Sequence, residues 1–151
     1  MHNIKISDLG EVELINRLQT FMPNKQTNDD TAELYIEKNK ILINTDVLVE
    51  NIHFSDKTTS SFDVGWKSIS TNFSDLAASG VQDIIGITIG LGLPENTHLS
   101  WVENVYSGIK AALTKYGGVI LGGDCSRSSE KFLSITAIGT LSKLRLHRAN
   151  A

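Results

Sequence analysis

The order of elements along the chain, α-β-β-α-β-α-β-β, predicts an α+β domain with helices on one face of a largely antiparallel or mixed sheet. Three observations carry this expectation. Apolar residues recur at three and four over three stretches, the mark of helices with one buried face. Five short segments alternate apolar with polar residues, or stay apolar between turn signals, as strands do. No repeat, low-complexity segment or linker interrupts the 151 residues, so residues 1–151 read as a single domain.

Asp8 with Glu11 forms a candidate capping box, followed by a helical stripe of Val12, Leu14, Ile15, Leu18 and Phe21. Pro23 ends that helix, and residues 24–31 are a polar loop. Ala32, Leu34 and Ile36 alternate as a half-buried strand, Lys38-Asn39-Lys40 reads as a turn, and Ile41–Val49 completes a hairpin. A polar loop over 50–61 holds His53. A second helix is expected from Phe62 to Ser79, closed by Gly80 in the left-handed region. Ile84–Leu93 is strand-like, with Gly86, Gly90 and Gly92 on one face, which predicts a close approach to that face. Leu99–Tyr116 is the third helix, stopped by Gly117-Gly118. Val119–Leu121 is expected as a short buried strand and Phe132–Leu141 as a longer one. Such a sheet needs its second face covered, and no remaining element does so. A partner subunit or a further domain is therefore expected.

Composition narrows the function classes. With 40% apolar and 21% charged residues the chain should fold rather than stay disordered. Its 14 Lys and Arg against 17 Asp and Glu give a net charge of -3, with no basic excess for nucleic acid. The single cysteine, Cys125, excludes an internal disulfide and a cysteine-only zinc site. No apolar run reaches the roughly 18 residues of a membrane span. The N-terminal residues lack the apolar stretch of a signal peptide. A cytoplasmic protein without nucleic-acid or membrane partners is the expectation.

Several acids resist a solvated-surface explanation. Asp46 interrupts the apolar run Ile41–Val49, where an unpaired carboxylate costs several kcal/mol. Asp124 follows Leu121-Gly122-Gly123 at the end of a strand, and Asp29-Asp30 is a pair that a cation would relieve. Carboxylates with Thr45, Ser74 and Ser126 nearby are oxygen ligands, which suit Mg²⁺ better than zinc. The bland readings stand beside these. Asp46 as a strand-end acid would be satisfied by backbone N–H groups, and Asp29-Asp30 as a turn would be solvated. On a helical wheel Asp75 shares a polar face with Ser68, Thr71, Asn72 and Ser79, which reads as solvated. His53 reads as an exposed loop histidine and Cys125 as an inert thiol. The sequence contains no G-x-x-x-x-G-K-[ST] loop and no protein-kinase signature.

Longer strings carry a resemblance. Leu9–Ile15, Asn28-Asp29-Asp30-Thr31-Ala32, Asn44–Phe54, Gly65-Trp66-Lys67-Ser68, Asn72–Gly80 and Gly122–Ser128 match, in order, segments of the thiamine-monophosphate kinase family. In that family they read Gly-Asp-Asp-Ala-Ala, Thr-Thr-Asp-x-Leu-Val-Glu-Gly-x-His-Phe, Gly-Trp-Lys-Ala, Asn-x-Ser-Asp-x-Ala-Ala-x-Gly and Gly-Gly-Asp-Thr-x-Arg-Ser, after its opening segment. Several of these are shared with the wider superfamily of aminoimidazole ribonucleotide synthetase and selenide water dikinase. The His-Phe and Gly-Trp-Lys strings point more narrowly to the thiamine enzyme.

The resemblance implies an ATP- and Mg²⁺-dependent transfer of the γ-phosphoryl group onto thiamine monophosphate, giving thiamine diphosphate. It implies magnesium ligands at Asp30, Asn44, Thr45, Asp46, Asp75 and Asp124. It implies a substrate contact at His53 and ATP contacts at Tyr106, Gly123, Asp124 and Arg148. The fold implied is the N-terminal ATP-binding domain of the aminoimidazole ribonucleotide synthetase type, whose sheet pairs into a barrel in a homodimer. The family's chains continue into a second domain, so turnover is not expected from these 151 residues alone. Two alternatives stay open: another ATP-dependent enzyme of the superfamily, or a nucleotide-binding or dimerisation module without turnover. Asn28, Asn44 and Cys125 depart from the family pattern, and Asn44 keeps an amide oxygen able to bind a hard cation.

Overall fold

The computed structural model describes residues 11–21, 31–36, 39–141 and 146. The elements are α1 (Glu11–Leu18), β1 (Ala32–Ile36), β2 (Asn39–Val49), α2 (Ser61–Ala78), β3 (Asp83–Leu93), α3 (Leu99–Tyr116), β4 (Val119–Arg127) and β5 (Phe132–Leu141), with a 3₁₀ turn over Gln19–Phe21. The α+β class and the predicted order are therefore observed. The strands form one mixed sheet in the order β1-β2-β5-β3-β4. Only β3 and β4 run parallel, joined by α3 as the crossover; the other neighbours are antiparallel.

Helices α2 and α3 cover one face. Strand β5 shows why: Leu133, Ile135, Ala137 and Leu141 are buried and alternate with residues that are not. Leu42 and Leu48 of β2 and Ile87, Ile89 and Leu91 of β3 join them beneath Val64, Ile69, Leu76, Val105 and Ile109. The opposite face carries Thr45 and Val47, both exposed.

Each helix starts and stops where the chemistry dictates. Ser60 caps α2: its Oγ accepts the Asp63 N–H at 3.1 Å and donates to Asp63 Oδ2 at 2.6 Å. Gly80, at φ 86°, ends it as predicted, with Val81 N–H donating to Leu76 O at 3.0 Å. The two helices cross at glycines. A Cβ on Gly65 would lie 2.0 Å from Val105 O, and one on Gly108 would lie 1.9 Å from Phe62 O. The Gly65-Trp66-Lys67 string thus contains the residue that lets two backbones touch.

Four expectations are corrected. Asn39 and Lys40 belong to β2, because pairing continues to Ile36↔Asn39. Tyr35 faces Lys40, whose ammonium lies 5.1 Å from the ring centroid, and this cross-strand contact extends the ladder. Strand β4 is neither short nor buried. It runs nine residues at the sheet edge, and Val119 is 57% exposed, since among the described residues no further strand or helix covers it. Cys125 is exposed for the same reason. The stripe on α1 also faces outward, with Val12 73% and Phe21 85% exposed. The approach predicted for the β3 glycines holds at two of the three and comes from within this chain: a Cβ on Gly86 would meet Val119 O and one on Gly92 the Phe132 ring, whereas one on Gly90 would sit at ordinary contact, 3.5 Å from Ser134 Cβ. The capping box at Asp8, the stop at Pro23 and the pair Asp29-Asp30 lie outside the described residues.

Candidate active site

Strand β2 sets the site by alternation. Leu42, Asn44, Asp46 and Leu48 share the face turned to α2, while Thr45 and Val47 face the other way. Asn44 is buried and donates through Nδ2 to Asn72 O at 3.2 Å and to Asp75 Oδ2 at 3.4 Å. Close by in sequence, Thr31 Oγ1 donates to Ser79 Oγ at 3.1 Å, both residues buried. The polar face of α2 is therefore the inward one. Ser68, Asn72 and Ser79 are buried and Asp75 is half-buried, which corrects the solvated reading of the helical wheel. A wheel sorts polar from apolar, but it cannot say that the polar side meets a polar strand.

This node has acceptor capacity to spare. Among the described residues, Asn44 Oδ1 and Asn72 Oδ1 are buried without a hydrogen-bond partner. A buried unsatisfied acceptor costs about 1–3 kcal/mol, so such a pair is unusual in a packed structure. An Asn44 amide oxygen beside the Asp75 carboxylate, with Asn72 one turn back on α2 and Asp46 two residues along the strand, is the kind of donor set a hard cation takes. Among the described residues, no three of His, Cys, Asp or Glu are grouped to hold a metal by themselves. The donors here suit Mg²⁺, which keeps several waters and shares phosphate oxygens rather than filling a protein cage.

The remaining predicted ligands lie elsewhere. Thr45 is on the open face, its Oγ1 2.8 Å from that of Thr136. Asp124 is on β4, opposite Gly90 in register and exposed. Strands β5 and β3 separate β4 from β2, so three strand spacings put Asp124 roughly 14 Å from the β2 residues. Gly123 packs backbone to backbone on β3: a Cβ there would lie 2.0 Å from Ile89 O. Tyr106 is half-buried on α3; burial first, and then the neighbouring Cys125, push its hydroxyl pKa up. With Lys110, Leu113, Val119 and Ile120 it lines a cleft of about 560 Å³ between α3 and the start of β4. Asp30 and Arg148 fall outside the described residues.

His53 is exposed, as its loop position predicted, but it is held firmly. Its Nδ1 accepts the Val49 N–H at 3.0 Å, its own N–H donates to Val49 O at 2.8 Å, and its carbonyl accepts from Lys67 Nζ at 2.7 Å. The turn needs Asn51 at φ 63°, where the family string has glycine; asparagine tolerates this region. Behind it, Lys131 bonds both Glu50 and Asp56, and Trp101 Nε1 donates to Asp56 at 3.0 Å. Burial works to lower the Lys131 pKa, but its bonds to Asp56 and Glu50 outweigh burial and raise it. Burial likewise works to raise Asp56, and the bonds from Lys131 and Trp101 bring it down.

Asn72, Lys67, Glu50 and Lys131 were not singled out from the sequence. The first three sit inside the quoted strings, which was the available signal. Lys131 left none, as an ordinary charge ahead of a strand.

The chain matches the family described as AIR synthase related protein, N-terminal domain, over residues 28–141. It is 54% identical to thiamine-monophosphate kinase of Prochlorococcus marinus over 146 residues, covering 97% of this chain and 44% of that protein. It is 40% identical to thiamine-monophosphate kinase of Synechococcus elongatus, covering 98% of this chain and 45% of that protein. Among solved structures, AaThiL complexed with AMPPCP and TMP superposes with a TM-score of 0.90 at 34% identity, covering 98% of this chain and 47% of that one. The chain thus spans less than half the length of these relatives.

Proposed function

The chain belongs to the AIR synthase related family through that family's N-terminal domain, and from this premise we propose that it is the ATP- and magnesium-binding domain of a thiamine-monophosphate kinase. The observation that carries the reading is the agreement of two independent things. A relative of the same fold is described with AMPPCP, an ATP analogue, and TMP. The buried node in this chain offers unpaired oxygens beside an aspartate.

The chemistry follows from the reactants. Both are phosphates, so repulsion between anions is the main obstacle to transfer, and positioning with charge neutralisation is the main task. Bound Mg²⁺ would neutralise charge on the transferred group and align the attack. Asp30, Asn44, Thr45, Asp46, Asp75 and Asp124 are the residues that would hold several such ions between them, since Thr45 lies on the other sheet face and Asp124 three strands away. Tyr106, Gly123, Asp124 and Arg148 would bind ATP, and His53 the acceptor substrate. The attacking phosphate oxygen is already deprotonated, so no general base is needed. This accords with a site in which His53 Nδ1 is engaged by the backbone.

The exposed sheet face supports a homodimer in which two sheets close into a barrel. The span between Asp124 and β2 supports a site completed by the second copy. A second domain would complete it further, and the relatives' greater length supports this. That greater length equally favours a second reading, a binding or pairing module without turnover of its own. No helix among the described residues is long and apolar enough to cross a membrane. We place the protein in the cytoplasm.

The test is thiamine diphosphate formation from ATP and thiamine monophosphate by the full-length gene product, with Asp46→Asn and Asp124→Asn beside it. Product from the wild type and a loss of at least a hundredfold in both variants is expected. No product, or unchanged rates in both variants, would sink the proposal.

A further inference from the structure

Lys67 has no part in the chemistry above, yet its side chain leaves α2 to bond another segment. Its Nζ donates to the His53 carbonyl at 2.7 Å, fourteen residues away in sequence. His53 is tied back to the strand it follows, through N–H to Val49 O and through Nδ1 to Val49 N–H.

The reason lies in the sheet edge. Strand β1 pairs with β2 only as far as Ala32↔Ile43. Glu50 N–H points to the β5 side, where it donates to Lys131 O at 2.9 Å. By alternation Val49 N–H points to the other side, past the end of β1, and has no strand to bond. A backbone donor left without a partner is costly, and the His53 ring supplies the acceptor. An imidazole that accepts at Nδ1 is neutral and carries its proton on Nε2. The ring is exposed, so its Nε2–H is offered outward.

The geometry points to Lys67 as a positioning residue. It holds the Val49–His53 turn so that His53 presents a single tautomer, with Nε2–H as the donor to a hydrogen-bond acceptor on the substrate. This rests on the kinase reading, in which that substrate is thiamine monophosphate. Asp46 and Val49 are three residues apart on one strand, roughly 10 Å, so a phosphorylated molecule of that length can meet both ends. Glu50, bonded to Lys131 at 2.8 Å, steadies the same turn from the β5 side.

The experiment compares wild type, Lys67→Met and Lys67→Arg. Nitrogen NMR of the histidine rings is read on this chain, and steady-state kinetics on the full-length gene product. In the wild type, His53 Nδ1 should read as unprotonated and Nε2 as protonated. Lys67→Met should give a mixture of tautomers and raise KM for thiamine monophosphate about tenfold, the size of one charge-assisted hydrogen bond, with kcat within about twofold. Lys67→Arg should restore both. Lys67 is exposed, and unchanged melting of Lys67→Met will separate positioning from folding. A proton on Nδ1 in the wild type would overturn the inference, as would Lys67→Met leaving tautomer and KM unchanged. A gene product that sets the His53 tautomer through Lys67 but never phosphorylates thiamine monophosphate supports the positioning role and removes the kinase reading instead.

Discussion

Replacing Gly65 by alanine gives opposite signs under two physical arguments. Helix propensity alone favours alanine over an interior glycine by about 1 kcal/mol. The crossing of α2 and α3 opposes it. The new Cβ would lie 2.0 Å from Val105 O, 2.8 Å from Val105 C and 3.1 Å from Ile109 N, all backbone atoms that no rotamer change can move. The helices must separate by more than 1 Å at this point, and overpacking of this kind costs about 1–3 kcal/mol or more. With the clash at the upper end and the propensity gain subtracted, Gly65→Ala should destabilise by about 2 kcal/mol. For a domain of this size that is roughly 4–8 °C in Tm. Thermal denaturation followed by circular dichroism reads it, with Gly108→Ala as the partner variant, since its Cβ meets Phe62 O at 1.9 Å. A Gly65→Ala variant more stable than wild type by the propensity value would refute the close-crossing argument. Displacement of α2 also moves Lys67 and Asp75, so the same variant should weaken any Mg²⁺-dependent nucleotide binding.

Lys131→Met leaves the half-buried Glu50 and the exposed Asp56 without their cation, and should cost about 1–2 kcal/mol in chemical denaturation. Its pH dependence has two sides. Asp56 has a lowered pKa in the fold, so its contribution is present above the unfolded value near 3.9 and is lost as pH falls through the lower folded value. Lys131 has a raised pKa, so its contribution is present below the unfolded value near 10.4 and is lost as pH rises through the folded one. Melting curves of Lys131→Met should lack the alkaline loss and show a smaller acid loss, since Trp101 Nε1 still donates to Asp56. Asn51→Val should cost about 1–2 kcal/mol because a β-branched residue resists φ 63°, whereas Asn51→Gly should stay within about 0.5 kcal/mol of wild type; urea titration distinguishes them. In the proposed site Mg²⁺ with ATP should raise the Tm of the wild type, and Asp75→Asn should abolish that rise while leaving the Tm without ligand within a few degrees. Cys125 should react with an aromatic disulfide reagent in the native state as an exposed thiol does, and protection without unfolding would contradict its place on the open edge.

The fold was legible where a residue's neighbours in sequence decide its structure. Periodicity located α2 and α3, and Gly80 and Gly117 located their ends. Alternation located β1, and apolar runs located β2 and β5. The errors came from decisions made across the sheet. Val119-Ile120-Leu121 looks like a buried strand because it is apolar, but β4 is last in the strand order, and that order is not written locally. The pairing of Tyr35 with Lys40 extends β2 into what reads as a turn. The site divides in the same way. Asp46 was visible as a charge in an apolar strand. Asp75 was not, because its exposure depends on whether β2 offers Asn44 to the polar face of α2. His53 was visible as a residue, but the bonds to Val49 and Lys67 that hold it were not. Asp124 was visible as an acid after two glycines at the end of an apolar run, but its separation from β2 is set by topology.

In the proposed reaction this chain helps move a phosphoryl group from ATP onto an existing phosphate. ATP labelled at the γ-phosphorus, mixed with thiamine monophosphate, Mg²⁺ and the full-length gene product, tests it most directly. The label should appear in the terminal phosphoryl group of thiamine diphosphate, in step with ADP formation and without release of labelled free phosphate. Label found only in inorganic phosphate, or thiamine diphosphate formed without label, would contradict it.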